Sequence, residues 1–278
     1  MKNKPMLAYP VSAKPIDYSK PVFIQPKLDG VRCLIQYDSG VVTAYSRTGK
    51  VWKNIEHITL NLYKFFDKHP NVILDGELYN HDFRDDFESI ISMVRKTKPT
   101  SVDRLISREN VQFHCYDIIN KKMKFSTRDK WIAKNLPTSY CVKHLITLHA
   151  SDELSAKTGH QMNLDAGYEG SIVRLDTPYE CKRSHSLRKF KDFHDDEAMI
   201  LDWVEAKGKR VGTIGKFMAQ DSEGNIFGMP VMDKFKYLQD NFEEMKTWVG
   251  KLATFTYFER TKANSYRHPL FKAIRDYE

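Results

Sequence analysis

The stretch Gln25-Pro26-Lys27-Leu28-Asp29-Gly30-Val31-Arg32 decides how the first half of this 278-residue chain is interpreted. It joins two apolar runs, Val22–Ile24 and Val31–Tyr37, which we predict to be β-strands. Lys27 and Asp29 lie two positions apart, so in an extended chain their side chains point the same way. Loops at strand ends often carry reactive groups, which makes this loop a candidate for part of a functional site. By itself, a motif this short more often marks a solvated Lys–Asp pair in a turn.

Five further polar segments follow in a fixed order, each beside or within an apolar run. They are Ser46-Arg47-Thr48-Gly49-Lys50, Asp75-Gly76-Glu77, Tyr116-Asp117, Glu169-Gly170-Ser171-Ile172-Val173-Arg174 and Leu187-Arg188-Lys189-Phe190-Lys191. Alternation places the two lysines of the last segment on one face of an extended chain. Each segment alone fits a solvent-facing strand end, whereas the whole set in this order indicates one shared site.

This set of motifs resembles that of the covalent nucleotidyltransferases. Over nearly its whole length the chain is similar to minimal ATP-dependent DNA ligases of the bacteriophage and bacterial kind. The resemblance identifies the six segments, from Lys27-x-Asp29-Gly30-x-Arg32 to Lys189-x-Lys191, with successive motifs of that family. Near the end, Glu259-Arg260-Thr261-Lys262 and Tyr266-Arg267-His268-Pro269-Leu270-Phe271 resemble the closing strands of the ligase OB domain.

The resemblance implies a three-step reaction that joins a nick in duplex DNA. Lys27 attacks the α-phosphate of ATP, AMP passes to the 5′-phosphate of the nick, and the 3′-hydroxyl then displaces AMP. A free lysine has a pKa of about 10.4 and is almost wholly protonated at neutral pH. Nearby cations and desolvation must therefore lower its pKa before it can attack. The implied metal ion is Mg²⁺, with Mn²⁺ as its substitute.

The resemblance also implies roles for the other motif residues. The catalytic residues would be Lys27, Asp29, Arg32, Lys189 and Lys191. The nucleotide would be bound by Gln25, Lys27, Arg32, Arg47, Glu77, Tyr116, Lys189, Lys191 and Arg275, with Glu77 on the ribose and Tyr116 stacked on adenine. The metal ligands would be Glu77 and Glu169, and the DNA contacts would be Arg32, Arg47, Arg174 and Arg267.

The C-terminus departs from the sixth motif of the family, which resembles Arg-x-Asp-Lys and orients the leaving pyrophosphate. This chain ends Ile274-Arg275-Asp276-Tyr277-Glu278, so an acid stands in place of the terminal lysine. Glu278 would repel a triphosphate. We therefore expect Arg275 to supply the missing cation, with Lys272 as the second candidate.

The composition predicts an α+β protein of two domains whose partners are polyanions. Lys and Arg number 44 against 36 Asp and Glu, which gives a formal net charge of +8. We predict an adenylation (nucleotidyltransferase) domain of antiparallel sheets with flanking helices over residues 1–195. A small OB-fold β-barrel domain is predicted over residues 196–278. We interpret the acidic run His194-Asp195-Asp196-Glu197 as a solvated linker between them.

Apolar patterning predicts further helices and strands around these motifs. The helices run from about Asn54 to Phe66, over Phe87–Val94 and over Lys234–Val249. The strands are Val41–Ser46, Val72–Leu74, Val111–Ile119, Gly170–Leu175, Met199–Glu205, Gly215–Gln220, Ile226–Met229, Leu252–Arg260 and Leu270–Arg275.

Location and partners follow from what the sequence lacks. No apolar run approaches the roughly 18 residues needed to span a bilayer, and no secretory signal is visible. The four widely spaced cysteines fit neither a zinc site nor a disulfide scaffold. We expect a cytoplasmic monomer that binds ATP and nicked duplex DNA but no membrane.

Two other classes of function stay open on the sequence. An RNA ligase or an mRNA-capping-type nucleotidyltransferase would use the same Lys27 chemistry, although the closing segments favour a DNA ligase. A non-catalytic OB-type nucleic-acid-binding protein would fit the charge. That alternative leaves Lys27, Glu77 and Glu169 unexplained, and transfer of AMP to the protein would separate an enzyme from a binder.

Overall fold

The structure is a computed structural model that describes residues 4–84, 86–191, 193–261 and 264–275. The chain divides into two compact units, Met1–Lys191 and Asp192–Glu278. The sequence-based interpretations of Lys262 and of Asp276, Tyr277 and Glu278 fall outside the described residues. Within the described ranges, no helix has the length and apolar character needed to cross a membrane.

The first unit contains two five-stranded sheets. Its strands are β1 (Leu7–Pro10), β2 (Val22–Pro26), β3 (Val31–Asp38), β4 (Val41–Tyr45), β5 (Ile73–Tyr79), β6 (Gln112–Ile118), β7 (Val142–His144), β8 (Leu148–Ala150), β9 (Ser171–Leu175) and β10 (Arg183–Phe190). One sheet has the order β1-β10-β9-β2-β8 and the other the order β4-β3-β5-β6-β7. Strands β1 and β10 are parallel, as are β6 and β7, and the other described pairs are antiparallel.

The described part of the first unit also contains six α-helices. They are α1 (Glu56–Asn61), α2 (Tyr63–Lys68), α3 (Phe87–Val94), α4 (Ser101–Asn110), α5 (Phe125–Asn135) and α6 (Glu153–Asp165). Apolar side chains of α1, α2, α3 and α5 pack with those of the β4-β3-β5-β6-β7 sheet in the main hydrophobic core of this unit. Ala156 of α6 packs instead with Val22 and Val173 of the other sheet.

Helices α1 and α2 correspond to the single helix predicted from Asn54. The predicted apolar face is confirmed, because Ile58, Leu62, Phe65 and Phe66 are all buried. The Leu62 N–H donates to the Ile58 carbonyl at 3.1 Å and the Phe66 N–H donates to the Leu62 carbonyl at 3.0 Å. These backbone hydrogen bonds continue the helix across the junction between α1 and α2.

Apolar periodicity does not predict α4, α5 or α6, because these helices carry many polar residues. Two of them begin at a reciprocal cap, formed by Thr100 and Asp103 in α4 and by Asp152 and Ser155 in α6. A search for such capping pairs is the sequence signal that would have found them. Helix α3, whose apolar face is regular, is confirmed at its predicted bounds.

The strands in the structure differ from the predicted strands in two respects. The strand predicted over Val72–Leu74 is too short, because β5 continues through Asp75-Gly76-Glu77 as far as Tyr79. The patterning also misses β1, β7 and β8. Strand β1 pairs with β10, which lies more than 170 residues later, so no local signal reveals it.

The second unit contains a five-stranded antiparallel sheet and a two-stranded one. Its elements are β11 (His194–Glu205), β12 (Ile214–Asp221), β13 (Ile226–Pro230), α7 (Phe235–Asp240), α8 (Phe242–Lys246), β14 (Leu252–Tyr257), β15 (Glu259–Arg260), β16 (Tyr266–Arg267) and β17 (Leu270–Ile274). The larger sheet has the order β13-β12-β11-β14-β17. The described pairings leave it open between β13 and β17, as in the partly open five-stranded OB fold. The helix predicted over Lys234–Val249 is divided at Asn241.

The acidic run His194-Asp195-Asp196-Glu197 is not a linker, and that interpretation is wrong. It forms the first part of β11 and pairs with β14. Its three carboxylates contact Lys272, Arg260 and Arg275 in turn. Basic side chains near the run thus compensate its charge and allow adjacent acids to lie in a sheet.

Candidate active site

A cavity of about 330 Å³ in the first unit brings together most of the predicted site residues. It is lined by Gln25, Lys27, Arg32, Arg47, Glu77, Tyr116, Arg174 and Lys189, among others. These residues lie in or directly after strands of both sheets of the unit. Motifs that are far apart in the sequence therefore line one concave site.

Glu169 lies between two lysines. The Lys27 Nζ donates to Glu169 Oε2, and the Lys191 Nζ is paired with the other carboxylate oxygen. The Glu169 side chain is only 4% exposed and that of Lys27 is 20% exposed. A carboxylate this close to a lysine favours its charged ammonium form, which is not a nucleophile.

Two glycines of the motifs allow the backbone to approach closely around Lys27. A Cβ atom at Gly30 would overlap the Leu78 carbonyl oxygen, and one at Gly170 would overlap the Phe190 carbonyl oxygen. Gly170 also has φ +138°, a conformation that other residues rarely adopt. Its carbonyl accepts a 2.9 Å hydrogen bond from the Lys27 N–H, which fixes the turn that carries Glu169 beside Lys27.

Glu77 and Tyr116 form a hydrogen-bonded pair in the cavity. The Tyr116 hydroxyl donates to Glu77 Oε2 at 3.2 Å. Burial raises the pKa of Glu77 from 4.5 to about 7, although the nearby Arg32 and Lys27 charges oppose that shift. Burial also holds the pKa of Tyr116 well above its ordinary value, so its hydroxyl remains a donor. Glu77 is therefore poised to change its charge near neutral pH.

Arg32 is held by a buried carboxylate. Its Nε donates to Asp75 Oδ1 at 2.7 Å and its Nη2 donates to Asp75 Oδ2 at 2.5 Å. The Tyr179 hydroxyl also donates to Asp75 Oδ2, at 2.6 Å. The guanidinium carbon lies 5.2 Å from the centroid of the Tyr116 ring. The pair with Asp75 orients Arg32 in the cavity wall and competes with the phosphate contact expected of it.

Arg174 lies in the same wall and is only 4% exposed. Its Nη1 donates to Asp117 at 2.7 Å and its Nε donates to Gln25 Oε1 at 2.6 Å. The expected contact between Arg174 and DNA does not suit this position, because these donors are taken by buried acceptors. Arg128, which the motifs do not reveal, donates to both oxygens of Asp117 at 2.6 and 3.0 Å. The sequence does contain a signal for these ion pairs. Asp75 and Asp117 are acidic residues within the otherwise apolar strands β5 and β6, where a buried carboxylate needs a basic partner.

Five predicted site residues do not line this cavity. Two of them, Glu169 and Lys191, are ion-paired with each other, and Glu169 is also paired with Lys27. Asp29 lies in the loop between β2 and β3. Arg267 and Arg275 lie in the second unit, where Arg267 is paired with Glu259 and the Arg275 Nη2 lies 2.5 Å from Glu197.

The structure offers two carboxylates for a metal ion. In the described ranges, no three His, Cys, Asp or Glu side chains are grouped so that they could hold one. Glu77 and Glu169 line or adjoin the Lys27 site and both contact protein donors there. Mg²⁺ is commonly bound by one or two carboxylates together with substrate phosphates. The carboxylates of Glu77 and Glu169 are donors of this kind.

Comparison with known proteins agrees with the geometry of the site. Residues 5–191 match the family described as ATP dependent DNA ligase domain. That match ends at the last residue of the first compact unit. A DNA ligase of Halobacterium salinarum is 23% identical over 227 residues. This alignment covers 73% of the chain but only 39% of that relative's length.

Solved structures show the same fold. A structure from work on Lig E DNA ligases superimposes with a TM-score of 0.78 at 21% identity and covers 99% of this chain and 100% of its own. The ATP-dependent DNA ligase of bacteriophage T7 in complex with ATP gives a TM-score of 0.55 at 18% identity, with 98% of each chain covered. The α+β architecture predicted from the sequence is thereby confirmed.

Proposed function

Because the chain belongs to the ATP dependent DNA ligase domain family, we propose that it seals nicks in duplex DNA. The intermediates of the proposed reaction are a lysyl-AMP on Lys27 and a DNA-adenylate. The observation that carries this proposal is the cavity in which Lys27 meets Glu77, Tyr116 and Lys189. The first unit acts as the adenylation domain and the second as an OB domain.

The proposed nucleotide site uses the walls of this cavity. The Tyr116 ring stacks on adenine, and the Glu77 carboxylate accepts hydrogen bonds from the ribose hydroxyls. Gln25 is nearly buried, with its amide donating to the Thr147 hydroxyl at 2.9 Å, so it orients the strand that leads to Lys27. These contacts would present the α-phosphate of ATP to Lys27.

In the first step, the deprotonated Nζ of Lys27 attacks the α-phosphorus of ATP. A nitrogen–phosphorus bond forms as the bond to the bridging oxygen breaks, and pyrophosphate leaves with the electron pair. Lys189 and Lys191 add positive charge that favours the neutral amine at Lys27 and stabilises the phosphate charge. Mg²⁺ or Mn²⁺, held by Glu169 and Glu77 with phosphate oxygens, would supply further charge neutralisation.

In the later steps, AMP moves from Lys27 to the DNA and then leaves. An oxygen of the 5′-phosphate attacks the adenylate phosphorus and displaces the Lys27 nitrogen, which gives DNA-adenylate. The 3′-hydroxyl then attacks the 5′-phosphorus, so a phosphodiester bond forms and AMP departs. Arg47, which is exposed at the cavity rim, is placed to bind the 5′-phosphate, with Arg32 beside it.

Three parts of the proposal lie outside the cavity. Arg275 serves as the cation for the leaving pyrophosphate, and Arg267 binds DNA. Asp29 acts beside Lys27 in the motif loop. The protein works as a monomer with nicked duplex DNA and ATP as its substrates.

Replacement of Lys27 tests the proposal directly. Lys27→Ala should abolish transfer of label from α-labelled ATP to the protein, because it removes the amine that is proposed to attack the α-phosphorus. It should still seal a nick that is already adenylated, since the last step does not use the lysine. Lys20→Ala, at an exposed lysine of the same unit, is the matched control. Normal labelling of Lys27→Ala would refute the assignment.

A further inference from the structure

A buried polar cluster lies beside the turn that carries Glu169. It consists of the His160 and Asn163 side chains of α6 and the hydroxyl of Ser171, the first residue of β9. Asn163 Nδ2 donates to Ser171 Oγ at 2.8 Å, and His160 Nδ1 lies 3.0 Å from the same oxygen. His160 is 4% exposed, Asn163 7% and Ser171 0%. Buried polar groups are costly unless they are hydrogen-bonded, and a bonded network of this kind fixes one arrangement of its members.

The His160 ring also packs against the strand that leads to Lys191. It stacks on the Phe190 ring, with 3.7 Å between the ring centroids and an angle of 10° between the planes. Phe190 is the residue before Lys191 and the sheet partner of Ser171. His160 therefore contacts a residue within two positions of each member of the Glu169–Lys191 ion pair. We call His160, Asn163, Ser171 and Phe190 the His160 cluster.

Gly170 links the His160 ring to the backbone of Lys27. A Cβ atom at Gly170 would lie 2.4 Å from the Phe190 carbonyl oxygen and 3.4 Å from His160 Cε1. The Gly170 carbonyl in turn accepts the hydrogen bond from the Lys27 N–H. Through this close packing, the position of the imidazole ring affects the backbone on both sides of the Lys27–Glu169 pair.

The His160 cluster and the proposed nucleoside contacts belong to different sheets. Glu77 and Tyr116, which would bind the ribose and the adenine, lie in the β4-β3-β5-β6-β7 sheet. The His160 cluster is built on α6 and on β9 and β10 of the other sheet. A change in this cluster should therefore affect the groups that act at the α-phosphate more than those that bind the nucleoside.

We propose that His160 is a positioning residue that holds the Glu169–Lys191 ion pair in the arrangement required for the first step of the reaction. The inference rests on the proposed ligase function and adds to it a residue outside the six motif segments. His160 is not among the described residues that line the Lys27 cavity, so it acts through the rest of the His160 cluster. Residues that orient reactive groups in this way typically affect activity by about 10- to 100-fold.

His160→Phe tests this proposal, because it keeps a ring against Phe190 and removes the hydrogen bond to Ser171. The rate of lysyl-AMP formation at saturating ATP should fall at least about tenfold, while the KM for ATP changes by less than about twofold. His57→Phe is the matched control, since it removes one hydrogen bond to the Val111 carbonyl in the same unit. A smaller fall, a fall that the control matches, or a loss confined to KM would overturn the proposal.

Ser171→Ala gives a second measurement that decides the question if His160→Phe fails to fold. It removes only the hydroxyl group, and it should lower the same rate with little change in KM. The double variant should lose no more than the larger of the two single losses, because both substitutions break one interaction. A wild-type rate in Ser171→Ala, or additive losses in the double variant, would contradict the proposal.

Amide hydrogen exchange tests the positioning in the nucleotide-free protein. The Lys27 N–H donates to the Gly170 carbonyl, and the Phe113 N–H donates to the Cys141 carbonyl in the other sheet. His160→Phe should accelerate exchange at Lys27 at least about tenfold more than at Phe113, because local opening affects only nearby bonds. Equal acceleration at both amides would show general destabilisation and overturn the proposal.

A failure of the positioning role differs from a failure of the ligase function. A wild-type chain that forms no lysyl-AMP refutes the proposed function, and the exchange rates still decide whether His160 positions the turn. A wild-type chain that seals nicks, together with a His160→Phe variant of wild-type rate, refutes the positioning role alone.

Discussion

Glu77 has the titration that should govern nucleotide binding near neutral pH. Burial raises its pKa from 4.5 to about 7, and in the proposed nucleotide site only the ionised form accepts hydrogen bonds from both ribose hydroxyls. We therefore expect affinity for an ATP analogue with an uncleavable α,β bridge to fall as the pH drops through 7. Calorimetric titration from about pH 6 to 8.5 measures this. Glu77→Gln should lack the step, and a pH-independent affinity in wild type would contradict the assignment.

The raised pKa of Glu77 also affects stability, but in the opposite direction: a higher pH lowers the free energy of unfolding. The folded-state pKa of Glu77 lies above its unfolded value, so the folded state binds the extra proton between pH 4.5 and 7. Stability from this group therefore declines as pH rises through that window, and above it the buried charge costs on the order of 1–3 kcal/mol. Glu77→Gln should raise the free energy of unfolding in urea at about pH 8 and have a smaller effect at about pH 5. A loss of stability at the higher pH would show that the carboxylate is stabilising.

The pairing of β3 with β5 depends on the absence of a side chain at Gly30. A Cβ there would overlap the backbone of β5 at Leu78 and crowd the Glu77 side chain, 2.8 Å away. We expect Gly30→Ala to lower the free energy of unfolding by about 1–3 kcal/mol and to impair adenylylation. Gly228→Ala is the matched control, because its new methyl group would meet only the flexible Lys216 side chain, at 3.1 Å. Urea unfolding of the two variants provides the comparison, and equal stabilities would contradict this account.

Prediction from sequence succeeds where local chemistry determines an element. Strands β2, β3 and β4 and helix α3 have regular apolar patterns bounded by Pro, Gly or Asp, and they are found within a few residues of their predicted bounds. Pattern analysis fails for α4, α5 and α6, which bury few apolar side chains, although α4 and α6 begin at informative caps. It also fails for the acidic start of β11, since the cations that compensate it lie more than 60 residues away in sequence.

The sequence also predicts the candidate site only in part. The motifs predict which residues meet, and Lys27, Glu77, Tyr116 and Lys189 do line one cavity. They do not predict what those residues bind in the resting protein. The pairing of Glu169 with two lysines, like the capture of Arg32 and Arg174 by buried acids, depends on distances between strands that only the folded chain sets.

Each compact unit has its own hydrophobic core. That of the first unit includes Ile58, Phe66 and Phe113, and that of the second includes Phe217, Leu238 and Phe255. We expect two transitions when the whole chain is heated, because separate cores can melt separately. Glu77→Gln should shift only one of them in scanning calorimetry at about pH 8. A single transition that moves as a whole would contradict separate unfolding.

The Glu169 carboxylate, which pairs with both Lys27 and Lys191, affects how readily Lys27 reacts with unwanted electrophiles. A neutral amine in an open cavity would react with aldehydes and activated acyl groups, whereas an ammonium ion does not. Glu169 thus lowers the reactivity of Lys27 towards adventitious electrophiles. In the proposed ligase cycle, the amine that bonds to phosphorus is in this way protected from irreversible damage between cycles.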